Sequence, residues 1–262
     1  DLFKQNKKVI FFFFFGGVGM TTLAAAIALG LAGSGAKVHL TTTDPADHLD
    51  FVIAQSDNVT ISKIDEKVEL NKYKEEVLKT AKDNMSDNDI AYIEEDLRSP
   101  CTQEIALFRA FAEIVEKADN EIVVIDTAPT GHTLLLLDAT ESYHKEIQRS
   151  QGNVPESVKK LLPRLRNKNE TEVVIVTLPE TTPVFEALRL QEDLKRAGIN
   201  NKWWIINSSL LLTETDNVFL KAKAQTEITW INKVKEFAED NVVVVPWQGA
   251  EIKEENIRNL IN

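Results

Sequence analysis

What the sequence lacks narrows it first. Cys101 is the one cysteine in 262 residues, so no disulfide can close within the chain and a reducing, cytoplasmic setting is expected. A basic excess is also missing: 41 acidic against 30 basic residues leave a net charge of −11. That argues against a general nucleic-acid surface and leaves room only for a local basic pocket. The chain begins at Asp1 rather than at methionine, as a processed product or a piece of something longer would. Charge is absent from residues 9–36, a run longer than the roughly 18 apolar residues of a membrane span. It follows Lys7 and Lys8 as the apolar part of a secretory signal would. Three glycines and two threonines in its middle, and the strand–helix units downstream, argue instead for a chain that does not span a membrane.

Those same residues read as a buried strand, a glycine-rich turn and a small-residue helix. In a phosphate-binding loop of the form G-x-x-x-x-G-K-[ST], successive backbone N–H groups wrap the phosphates, a lysine neutralises the outer oxygens and a hydroxyl ligates Mg²⁺. If Gly19 and Thr21 take the last glycine and the hydroxyl, the first glycine and the lysine should be residues 14 and 20. Phe14 and Met20 stand there. The loop therefore has a backbone cradle (Gly16, Gly17, Val18, Gly19), hydroxyls (Thr21, Thr22) and a helix start, but no cation. The plain alternative is a strand-to-helix turn with no ligand.

Further strands are expected at 37–43, 59–64 (an edge strand), 121–126, 171–178, 203–207 and 242–246. From 66 to about 117 strand patterns disappear, and several helices are expected, broken near 83–87 and at Arg98-Ser99-Pro100. Helices are also expected from Met20, after residue 133, at 180–197 and 216–238, and at the end over 251–261. Residues 151–170, with Gly152, Pro155, Pro163 and several basic residues, read as a mobile connector holding at most one helix. Strands alternating with helices imply an α/β fold: a mostly parallel sheet with helices on both faces and a helical insertion ahead of the Asp126 strand. The whole of 1–262 reads as a single domain.

Ligands bind such sheets at the carboxyl ends of the strands, and those ends carry the unusual residues. Asp126 ends an apolar run, where a carboxylate is costly unless paired or near a cation; the alternative is a capping aspartate. Asp44 could orient an attacking water or cap a turn. Asn207 offers a donor and an acceptor to a base edge, or simply makes a turn. Trp203 and Trp204 read as packing residues. Cys101 sits at or just before a helix start, where a thiolate is stabilised, although most single cysteines are small buried hydrophobes. A soft metalloid site needs more than one thiolate, so any such site would be shared with a partner.

GGVGMTTLAAAIALGLA, HLTTTDPADHL, EEDLRSPCTQEIALF, VVIDTAPTGHTLLLLDAT, VTLPETTPVFEA and WWIINSSL together resemble the arsenical pump-driving ATPases, specifically the C-terminal of their two homologous halves. The resemblance covers nearly the whole chain. It implies the architecture of deviant P-loop ATPases, nucleotide buried between facing halves or copies, and metalloid binding that draws them together. It also implies hydrolysis that drives a membrane efflux subunit, with the ATPase held peripherally at the inner membrane. By position, residues 16–22 would bind the phosphates of ATP, Thr21 and Asp126 would hold Mg²⁺, and Asp44 would position water. Asn207 and the loop from Pro246 would contact the base. Cys101, Ser99 and His132 would form the arsenite or antimonite site. The family loop GKGGVGKTT reads FFGGVGMTT at 14–22, so both lysines are gone, at Phe15 and Met20. A related family that targets tail-anchored membrane proteins is an alternative, but its C-x-x-C zinc site and methionine-rich groove do not suit one cysteine and two methionines.

Overall fold

A computed structural model of the chain describes residues 7–14, 17–42, 58–127 and 155–249, together with 257 and 260. The elements in order are β1 (Val9–Phe13), α1 (Met20–Gly33), β2 (Val38–Thr42), β3 (Val59–Lys63), α2 (Glu66–Asn84), α3 (Asp87–Asp96) and α4 (Pro100–Glu116). After a 3₁₀ turn at Lys117–Asp119 come β4 (Ile122–Asp126), α5 (Glu156–Arg166), β5 (Thr171–Thr177), α6 (Thr181–Arg196), β6 (Asn201–Ser209), α7 (Val218–Phe237) and β7 (Val242–Pro246). The strands form one sheet in the order β3-β2-β4-β1-β5-β6-β7, and every described pairing is parallel.

β1 lies at the centre, which explains its phenylalanines. A strand flanked by parallel neighbours is buried on both faces and needs apolar residues at every position. Ile10 and Phe12 point into the cluster built on α1. Val9, Phe11 and Phe13 point into the opposite cluster, with α4, α5, α6 and α7, where Phe11 stacks on Phe111 at 5.4 Å between ring centroids. α1 is a run of Ala, Leu and Ile that is buried almost all round, as expected of a helix pressed between a sheet and further chain. The uncharged run is therefore a strand and a 14-residue helix. Among the described residues no helix is long and apolar enough to cross a membrane.

The helical insertion appears where expected, as α2, α3 and α4, and β3 is the edge strand. Two expectations need correction. Residues 155–170 are not a mobile connector: α5 buries Val158, Leu161 and Leu165 on one face. Arg164 clips it to the core by donating to the Val115 carbonyl at 2.9 Å and pairing with Asp119 and Glu170. β6 is longer than its apolar run, reaching from Asn201 to Ser209, because the ladder with β5 begins at Asn201 and that with β7 continues to Ser209. The helices expected after residue 133 and over 251–261 fall largely outside the described residues.

A buried polar group sits near the amino end of β2. His39 Nε2 is 2.7 Å from the Ser62 hydroxyl and 3.3 Å from Lys117 Nζ, and Nδ1 lies 3.4 Å from Glu121. Burial, and then the charge of Lys117, push the imidazole pKa down to about 4. The unfolded chain would protonate this ring near pH 6.5, so between about 6.5 and 4 the unfolded state binds the extra proton. The neutral ring's contribution is full above pH 6.5 and is lost as pH falls toward 4, by up to about 3 kcal/mol. Urea unfolding at pH 7 and pH 4.5 should show this acid-side loss, and His39→Gln should flatten it.

Candidate functional site

The site is built where β1 gives way to α1. Gly17 and Gly19 have φ of +70° and +75°, a region open to glycine and strained for other residues. Gly19 is the N-cap of α1 and has no side chain to offer as a cap, and the first amides of a helix are the groups that can face an anion. Phe14, which replaces the expected first glycine, is not among the described non-glycine residues with positive φ, which are Ser208, Glu239 and Asp240. Its ring packs half-buried against the α1 side of the core, so the turn tolerates it.

Beside this loop, the register aligns Asp126 at the end of β4 with Phe12 of β1 and Thr42 of β2. Asp126 is 1% exposed. Its Oδ2 accepts from the Thr21 hydroxyl at 2.7 Å and from the Thr42 hydroxyl at 3.4 Å. Thr127 follows and donates to the Phe12 carbonyl at 2.7 Å, tying β4 to β1 just below the loop. Thr127 opens the turn from Thr127 to Thr133 that the family resemblance links to the phosphate end, whereas Thr42 is a residue the sequence reading misses. The available signal was a hydroxyl ending an otherwise apolar strand.

On the other side of β1, Asn207 near the end of β6 donates from Nδ2 to the Val18 carbonyl at 2.7 Å. The same nitrogen would lie 2.7 Å from a Cβ placed on Gly19. Asn207 is thus pressed against the glycine turn. Pro246 ends β7 opposite Ser209. Met20, the first residue of α1, is 2% exposed and packed in the α1-side cluster, so the position where a lysine would reach phosphate is turned into the core.

Cys101 is the second residue of α4 and is exposed. Ser99 occupies the N-cap position, with its hydroxyl 3.2 Å from that of Thr102. α4 runs through the 3₁₀ turn into the amino end of β4. Phe15, Gly16, Asp44 and His132 lie outside the described residues. The structure thus brings together Gly17, Val18, Gly19, Thr21, Asp126 and Asn207.

The sequence profile of the anion-transporting ATPases matches residues 7–154 and 144–260. The chain belongs to the anion-transporting ATPase family. The two matched stretches supply β1–β4 and β5–β7 of the one sheet. An arsenical pump-driving ATPase of Escherichia coli is 46% identical over 94% of this chain, but over 42% of its own length, so the chain spans less than half of that relative. A relative from Aquifex aeolicus is 32% identical over 94% of both chains. The ATPase ASNA1 homolog 2 of Paramecium tetraurelia is 25% identical over 94% of this chain and 89% of that one. In this family member the glycine turn and the Thr21–Asp126 pair lie side by side where β1 gives way to α1.

The two left-handed glycines can be told apart. A Cβ on Gly17 meets open space, whereas one on Gly19 meets Asn207. Gly17→Ala should cost only the backbone strain, about 1–2 kcal/mol. Gly19→Ala should cost more and, relative to Asn207→Gly alone, the Gly19→Ala/Asn207→Gly pair should cost only about the Gly17→Ala value, as read by urea unfolding of Gly17→Ala, Gly19→Ala, Asn207→Gly and the pair.

Proposed function

We propose that the chain is one nucleotide-binding half of an ATPase that arsenite or antimonite stimulates and that drives metalloid efflux through a membrane subunit. The observation that carries this reading is the Thr21 hydroxyl 2.7 Å from the Asp126 carboxylate, beside a helix start whose N-cap is a left-handed glycine. Backbone amides from residues 16–22 hold the phosphates. The two oxygens of Thr21 and Asp126 are hard donors of the kind Mg²⁺ prefers, and the fit is good because both lie at the loop. When bound, the metal would draw charge from the phosphates and hold them in register. Asp44 orients the attacking water, and residues 127–133 couple the phosphate end to Cys101, Ser99 and His132, which take the metalloid. Asn207 and Pro246 border the base. The facing surface is a homologous half or a second copy, and the assembly works in the cytoplasm, peripherally on the inner membrane.

Met20 and Phe15 shape the chemistry of this copy. Removing a cation aimed at developing phosphate charge costs about 3–4 kcal/mol of transition-state stabilisation. The present sequence therefore binds Mg·ATP through amides and hydroxyls but turns it over poorly. The buried Met20 favours a second reading, in which this half keeps the interface and the metalloid ligand without hydrolysing ATP. Calorimetry and phosphate release with Mg·ATP separate the two. Combining Phe14→Gly, Phe15→Lys and Met20→Lys should tighten binding and raise turnover by at least about 100-fold if the scaffold is an enzyme; unchanged turnover sinks the enzyme reading for this half.

In the restored protein, Cys101→Ser should abolish stimulation by antimonite and leave basal turnover intact. Stimulation that survives the substitution would remove Cys101 from the metalloid site.

A further inference from the structure

α7 carries a carboxylate that the reading above does not use. Glu227 is 2% exposed, and its carboxylate accepts from the Ser209 hydroxyl at 2.8 Å and from the backbone N–H groups of Leu210 and Leu211, each at 3.2 Å. All three partners are donors, so the position calls for a group that only accepts. Burying such a group is costly without these bonds, and their effect is to fix the corner at which β6 ends.

That corner is otherwise strained. Ser208 has φ of +55°, the pairing with β7 shifts between Ile206 and Ser209, and Ser209 is held a second time where its carbonyl accepts from Trp247 N–H at 2.9 Å. One residue before Ser208 stands Asn207, whose amide reaches the Val18 carbonyl and lies against Gly19. A left-handed serine would relax to an extended conformation if the chain after it were free, and Asn207 would turn with it.

We propose that Glu227 is a positioning residue for the phosphate loop: by anchoring Ser209, Leu210 and Leu211 it holds Ser208 in its strained conformation and so keeps the Asn207 amide against Val18 and Gly19. It acts through Asn207 and does not touch the ligand. The importance of this role to ATP binding rests on the function proposed above, whereas its structural part can be tested without nucleotide.

The experiment is a double-mutant cycle on the intact chain, comparing wild type, Glu227→Gln, Asn207→Ala and the pair. Glutamine keeps the volume but turns a donor toward the N–H groups. Amide hydrogen exchange over residues 17–23 in nucleotide-free protein should quicken about fivefold in each single variant, the loss of one net hydrogen bond. It should be no faster in the pair than in Asn207→Ala. If Glu227→Gln fails to fold, Ser209→Ala removes one of the three bonds and should quicken the same residues about twofold. Unchanged exchange over 17–23, or additive effects in the pair, would overturn the proposal and leave Glu227 as a loop clasp. Mg·ATP affinity is measured on the same set and should fall in parallel. If wild type binds no nucleotide, the proposed function fails while exchange still decides the role of Glu227.

Discussion

One hydrogen bond organises this edge of the protein, that of the Thr21 hydroxyl on the Asp126 carboxylate. It joins the first turn of α1 to the end of β4, and β4 is paired directly with β1, from which α1 departs. A carboxylate buried this deeply would be costly without partners. Two threonine hydroxyls meet that need, and the one from Thr21 ties the first turn of α1 to the end of β4. The placing of the glycine turn and of the hard oxygen pair depends on that tie. The flanking strands reinforce it from both sides, with Thr42 on one and Asn207 on the other.

Much of this was legible in the sequence because it follows from burial. An uninterrupted apolar strand must be central, a half-polar one such as β3 must be an edge, and an aspartate closing an apolar strand must have a partner. Pro100 and the Asp83–Asp87 break were enough to divide the insertion into its helices. The parts that were not legible depend on residues far apart in the chain. Nothing local to Asn207 reveals that its amide meets Val18, and nothing in Ser208-Ser209 reveals that β6 runs on to a carboxylate from α7. The one helix allowed in 151–170 is there as α5, but its docking was not legible for a related reason: its basic residues and Pro163 look like linker composition until Arg164 is seen clipped to Val115, Asp119 and Glu170.

The missing lysine changes how a phosphate could be held. A chain with a net charge of −11 repels a polyanion at long range, and screening confines that repulsion to about 8 Å at physiological salt. Attraction must then be short-ranged, from amides aimed by the left-handed glycines and from a metal that arrives with the phosphates. Such a site depends on its shape more than one with a lysine, since an amide that turns away loses its dipole contribution, whereas a flexible ammonium can follow its target.

This dependence gives the surroundings of the loop their weight. With a mobile cation gone, the accuracy of Gly17 to Thr21 rests on Asp126 under one side and Asn207 under the other, and Asn207 is aimed by the corner that Glu227 holds. The same logic explains why Phe14 and Met20 are compatible with an intact turn. Both bury apolar surface against the α1 side of the sheet, one on each side of the glycines. At Met20 the loss of charge has added packing, so the change that weakens the loop's chemistry also buries the first residue of α1.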